Sequence, residues 1–167
     1  MLPTPAVFVL QLAWFTVVFA VLARRVVWPW SARLSPHHRA ALWIAPQMSR
    51  ALGLGLMVPH LAPGMPEAMA VPTAIGDSLT ATLALAAFVA LHGGHRLGPL
   101  LGWVCMIVGI VDGVHALSTA ARLQVATNLA GQWYVPAVNV PLMAVCHVAG
   151  VVALRRMPRD RGGAAGL

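Results

Sequence analysis

Residues 40–58 read AALWIAPQMSRALGLGLMV, and whether this stretch crosses a bilayer decides the fold. It has about the 20 residues that a hydrocarbon core requires. It also carries Arg50 near its middle, Gln47 one turn earlier, and Pro46, which kinks a helix by removing a donor. An ionisable group in hydrocarbon costs about 2.5–3.5 kcal/mol even on a lenient insertion scale, so it is normally matched by a partner or a cavity. The rest of the chain has to supply the reason for Arg50.

Four further segments, 5–23, 73–92, 99–119 and 137–154, are apolar over a bilayer-crossing length. The chain of 167 residues is 59% hydrophobic and 9% charged, with a mean hydropathy of +0.79. Soluble domains carry about 25% charged residues, so this composition is that of a membrane protein. With segment 40–58 spanning and the amino terminus outside, Arg24, Arg25, Arg33, Arg39, Arg96, Arg155, Arg156, Arg159 and Arg161 are all cytoplasmic. Only Arg122 is then outside, as the positive-inside rule requires. Without that span the basic residues would divide between the two sides. The expected fold is therefore all-α: one bundle of five transmembrane helices over residues 1–154, carboxyl terminus cytoplasmic, with residues 155–167 a basic, disordered cytoplasmic tail.

The net charge of +7 sits beside the ends of apolar runs, where it reads as topology; the partner is the lipid bilayer, and no nucleic acid is implied. The chain has no Lys, which excludes Schiff-base chemistry. Cys105 and Cys146 have no CxxC spacing and read as small core residues. The first segment follows Met-Leu-Pro-Thr-Pro without a basic residue, so it is expected to remain as a span. Trp28, Trp30, Trp43 and Trp103 near cytoplasmic ends, and Trp133 and Tyr134 near the outer end of span five, suit interfacial belts, while Trp14 lies within span one. Residues 59–72, PHLAPGMPEAMAVP, read as an ordered outer loop, and residues 121–136 as a loop with a helical turn or two.

In span four, Gly98, Gly102, Cys105, Gly109 and Ala116 recur every three or four residues, a stripe along which another helix approaches closely. Asp112 lies on that stripe and should face protein. Counting about 1.5 Å per residue, Asp77 lies roughly 6 Å below the outer end of span three, and Asp112 and His115 roughly 10 and 6 Å below that of span four. Arg50 lies roughly 12 Å down span two and His147 roughly 15 Å down span five. These five residues are the expected site, in the outer half, with His60 and Asn139 lining its entrance and Thr80 within the same network. Two Asp against one Arg leave a surplus carboxylate, which carries a proton, pairs with His115 or His147, or holds a cation.

The expected function is binding of a proton, a cation or a small polar ligand from the outer side. One alternative is a redox membrane protein, with Asp112, His115 and His147 holding a transition metal or with haem between His115 and His147. The other is a structural subunit whose charges are interhelical salt bridges. A thin-walled bundle of five spans points to a homo-oligomer or a larger membrane complex. His37, His38, His92 and His95 read as solvated cytoplasmic loop residues. No nucleophile elbow or methionine ladder is present, so hydrolysis and copper conduction have no support.

The run GMPEAMAVPTAIGD, Gly64 to Asp77, the later Asp112 and the entry WYVPAVNVPLM into span five resemble a group of small, uncharacterised bacterial polytopic inner-membrane proteins. That resemblance implies a multi-span fold in a bacterial plasma membrane and no activity.

Overall fold

The computed structural model describes residues 3–157, and among these it is all-helical, with no strand. Helix α1 is Thr4–Ser31, with a π-helical stretch at Ala23–Val27. Helix α2 begins as an α-helix, Pro36–Ile44, and continues as a 3-10 helix, Ala45–Met57. Helices α3 and α4 are Glu67–His92 and Gly98–Leu123. Helix α5 is Ala130–Arg155, with a π-helical stretch at Val135–Asn139. A 3-10 turn, Val125–Asn128, joins α4 to α5. The expected basic tail lies outside the described residues from 158 onward.

The ends are set by local chemistry. Ser35 caps α2 by accepting from the backbone N–H of His38 at 3.3 Å, with Pro36 at the first helical position. Glu67 sits in the first turn of α3, where the helix dipole favours a carboxylate. Helix α4 stops where Gln124 turns left-handed, at φ 51°.

Four helices, α1, α3, α4 and α5, are long and apolar enough to cross a membrane. All extend beyond the boundaries expected from sequence, because hydropathy marks the hydrocarbon-length core of a helix while hydrogen bonding continues into its polar ends. Arg24 and Arg25 are thus on α1 and not in a loop, and residues 67–72 belong to α3 and not to the outer loop. Helix α2 is not apolar enough to join the four. Its rise is nevertheless about 40 Å, since the 3-10 form advances about 2.0 Å per residue against about 1.5 Å in an α-helix.

An inner apolar core gathers Trp43 and Ile44 of α2, Ala84, Ala87 and Leu91 of α3, Cys105 and Met106 of α4, and Cys146, Ala153 and Leu154 of α5. A smaller outer cluster packs Leu56, Ala62, Ala70 and Leu129 beneath Phe8, Met65 and Trp133. On α4 the glycines and Cys105 of the small-residue stripe are buried, together with Asp112. A Cβ built at Gly102 would lie 2.9 Å from Leu154 and 3.2 Å from Ile44, so three helices meet there only because the side chain is absent. Over Thr4–Leu22 helix α1 buries no residue, and over its whole length only Ser31. It is held to α5 by Phe8 edge-on to Trp133 and by Gln11, whose Oε1 accepts from Trp133 Nε1 at 2.6 Å. The outward apolar side chains, Val9, Trp14, Val89, Ile107, Val111 and Val148 among them, are more than half exposed, as lipid contact demands.

Overpacking at the three-helix contact should be felt directly. Gly102→Val is expected to lower stability by about 1–3 kcal/mol, read as a reduced midpoint in thermal unfolding of the detergent-solubilised protein.

Candidate functional site

The 3-10 form of α2 is what aims its polar face. With three residues per turn, Gln47, Arg50, Gly53 and Leu56 stack in one line, whereas an α-helix would rotate each by about 60° from the last. Gln47, Gly53 and Leu56 are buried, and the Arg50 side chain is only 11% exposed. Pro46, which cannot donate to an α-helical partner four residues back, stands at the start of this segment.

Arg50 reaches from this line into α3 and α4. Its Nη1 donates to Asp77 Oδ1 at 3.1 Å and also to Asp112 Oδ2. Its Nη2 donates to the carbonyl of Gly109 at 3.1 Å. One guanidinium therefore joins three helices through two carboxylates and a backbone oxygen.

Glycines make room for each carboxyl. A Cβ on Gly53 would run into the carboxyl of Asp77, and one on Gly76 into the carboxyl of Asp112. On the other side of the guanidinium, a Cβ on Gly113 would sit 3.2 Å from Nη2. By helical rise Asp77 is about 15 Å from the Glu67 end of α3, and Asp112 about 17 Å from the Leu123 end of α4. The cluster is deeper than the sequence implied, near the middle of both helices, because both run beyond their apolar cores.

The other expected members are distributed differently. His147 is half-buried on α5 and meets the cluster's edge: its Cε1 lies 3.3 Å from where a Cβ of Gly109 would be. Asn139 adjoins Arg50 through Ser49, whose Oγ is 2.9 Å from Asn139 Oδ1. His115 is exposed and does not share the burial of Asp112, because a step of three residues stops about 60° short of a full turn on an α-helix. His60 is exposed in the loop after α2. Thr80 is fully buried, but its hydroxyl donates to the carbonyl of Gly76 in its own helix, at 2.8 Å, and not to Asp77. Among the described residues no three His, Cys, Asp or Glu side chains come together as a metal-holding group, so Asp112, His115 and His147 are not assembled into one.

Two features escaped the sequence. The rings of His38 and His92, expected as separate loop residues, lie 4.7 Å apart, with Phe88 stacked on His92. Gln47 is completely buried, its Nε2 donating to the carbonyl of Met143 at 3.1 Å and its Oε1 unpartnered. The period-three spacing of Gln47, Arg50, Gly53 and Leu56 was the available signal, visible only to a reader testing 3-10 geometry.

Normally Gly→Ala stabilises a helix interior by about 1 kcal/mol. At Gly53 and Gly76 the sign should reverse, because the carboxyl each faces is too short to swing clear while still paired with Arg50. Circular-dichroism melts of Gly53→Ala and Gly76→Ala are expected to show losses of about 1–3 kcal/mol.

The chain matches the family described as Domain of unknown function (DUF8737) over residues 7–155, and it belongs to that family. Neither the curated proteins nor the solved structures yield a match.

Proposed function

We propose that the protein spans the bacterial inner membrane five times and binds one proton at the Asp77 and Asp112 pair, with Arg50 fixing the charge of the site. The observation that carries this reading is that a single nitrogen, Arg50 Nη1, serves both carboxyls. One guanidinium against two carboxylates sums to +1 − 2 = −1, and an unbalanced charge in a dry interior is costly. A proton removes it and needs almost no space. Space is what the site lacks, since the carboxyls already fill the clefts at Gly53 and Gly76. A metal cation or a polar molecule would have to displace Arg50 or open the helices, so the proton is preferred among the small ligands.

The five-span topology draws on the same site. Helix α2 is long enough to cross, and its most costly group, Arg50, is partnered. The ends of α1, α3 and α5 and the starts of α2 and α4 then gather the Arg residues on one side, the cytoplasmic one. The Thr4–Leu22 stretch of helix α1, with no buried residue, offers the face by which copies of the chain or other subunits would assemble.

A structural reading has its own support. Arg50 ties α2, α3 and α4 together, and such a pin holds helices whether or not a proton comes and goes. Infrared titration of the full chain in nanodiscs separates the two. Between about pH 4 and about pH 9, proton binding predicts a protonated-carboxyl band of about one proton per chain that disappears in Asp112→Asn, where one Asp balances one Arg. In Arg50→Gln the band should grow, because neither carboxylate then has a countercharge. If the wild type shows no such band while Arg50→Gln lowers the melting midpoint, the cluster is a pin only.

A further inference from the structure

The arginine-rich end carries charge that no described acid balances. Arg24, Arg25, Arg33, Arg39, Arg96, Arg155 and Arg156 gather there, whereas the described acids are Glu67 at the opposite end of α3 and Asp77 and Asp112 within the bundle. The only ion pairs among the described residues are those of Arg50. Residues 158–167 bring two Arg against one Asp, so the sequence beyond α5 does not reverse the sign.

These arginines are not equivalent. Arg39 is committed to the fold: its Nε donates to the carbonyl of Ser31 at 2.9 Å and its Nη2 to that of Ala32 at 2.7 Å, closing the end of α1. Arg156, just past α5, is exposed, and its guanidinium carbon lies 5.4 Å from the centroid of the Trp28 ring on α1. That is within the reach of about 6 Å over which an aromatic face attracts a cation. Trp28 is fixed from behind, with its ring 5.8 Å from that of Trp43, which is 4% exposed and part of the inner apolar core. The indole therefore holds one cation at a defined place between α1 and α5.

A second cation meets the same ring. The backbone N–H of Trp28 donates to the carbonyl of Ala23, five residues back, which is the π-helical bond. At roughly 4.4 residues per turn, Arg24 falls one turn before Trp28 on the same face. Arg24 is also exposed. Two guanidinium groups, one from each helix, thus flank one indole without a described acid, and an anion between them would remove their repulsion.

Depth and the neighbouring surface indicate what the anion belongs to. By helical rise Trp28 lies about 36 Å along α1 from Thr4, beyond the about 30 Å of a hydrocarbon core and so at the level of the headgroups. Deeper in the membrane Val17 and Val21 precede Arg24 at spacings of four and three, on one helix face, and they are 58% and 53% exposed. Cations at headgroup level above an apolar stripe fit a molecule with an anionic head and an apolar tail. A free phosphate would use the cations and leave the stripe bare.

We infer that Arg24, Trp28 and Arg156 form a binding site for an anionic phospholipid, whose phosphate bridges the two guanidinium groups while an acyl chain runs along Val21 and Val17. Arginine suits this role because its planar fork offers a phosphate two parallel hydrogen bonds. The site lies apart from the Arg50 cluster and stands whether or not that cluster binds a proton. It requires α1 and α5 to cross the membrane, and both are long and apolar enough. A lipid seated there would clasp α1 to α5 at the arginine-rich end.

Native mass spectrometry of the full chain in detergent, with phosphatidylglycerol, phosphatidylcholine or inorganic phosphate added, reads the site. Phosphatidylglycerol is expected to bind about tenfold more tightly than phosphatidylcholine, and an equal concentration of inorganic phosphate should not displace it. Arg24→Gln and Arg156→Gln, both at exposed positions outside the core, should each weaken phosphatidylglycerol binding by about five- to tenfold. Arg96→Gln removes the same charge at the same end, but from the loop between α3 and α4, and should change binding by less than about twofold. Trp28→Phe should keep the lipid, since a phenyl face still holds a guanidinium, whereas Trp28→Leu should lose it. An equal loss in Arg96→Gln overturns the site in favour of diffuse attraction to a positive surface. Displacement by inorganic phosphate overturns the lipid as its ligand, and unchanged binding in Arg24→Gln and Arg156→Gln overturns the assignment of these residues.

Discussion

Everything in the middle of this bundle is arranged around one nitrogen atom that two carboxylates share. Arg50 Nη1 cannot reach Asp77 on α3 and Asp112 on α4 unless both helices approach α2 closely, and they do so where glycine replaces a side chain. The coupling is mutual. The carboxyls fill space that apolar side chains would otherwise take, and removing one member of a buried pair costs about 3–5 kcal/mol because its partner is left charged and dry. Gly53 and Gly76 are therefore part of the ionic cluster although neither carries a functional group.

The 3-10 form of α2 follows from the same constraint. Runs beyond three or four residues are uncommon because their hydrogen bonds are poorer, so thirteen residues in this form need compensation from outside the helix. The compensation is visible residue by residue: Gln47 bonded to Met143, Ser49 beside Asn139, Arg50 bonded to two acids and a carbonyl, and Gly53 admitting Asp77. An α-helical register would carry Gln47 and Gly53 off the line of Arg50 and lose these partners together. Tertiary contacts have selected the backbone form, and not the reverse.

How much of this could be read from sequence depends on which force placed each residue. Arg50, Asp77 and Asp112 were legible because hydrocarbon penalises charge so heavily that three such residues at similar depth have few arrangements open to them. Helix type and extent were less legible. Apolar windows report the membrane core and stop short of the polar turns, which is why the cluster lies deeper in α3 and α4 than counting from the expected ends gave. His115 was misplaced by treating a three-residue step as one face, when the 60° it leaves over suffices to carry a side chain from the interior to the lipid side. Asn139 adjoins the site through Ser49, a residue with no signal of its own.

The apolar packing on either side of Arg50 has a consequence for any proton at the carboxyl pair. Leu56, Ala70 and Leu129 close the outer side with atoms that neither donate nor accept, and a proton cannot cross such a layer without an organised chain of water or side chains. Toward the arginine-rich end Ile44, Leu91, Met106 and Leu154 belong to a second, larger apolar layer. A proton reaches the pair only if one of these layers separates, and the smaller is the cluster of Leu56, Ala62, Ala70 and Leu129. That cluster is built largely from the loop after α2, the start of α3 and the entry to α5, with Phe8 of α1 packed over it. The Thr4–Leu22 stretch of α1 buries nothing and is tied to Trp133 by one ring contact and one hydrogen bond, whereas the other end of α1 is held by Trp28 against Trp43 and Arg156. Separation of the smaller layer would therefore draw on the Thr4–Leu22 stretch of α1 and not on its Trp28 end.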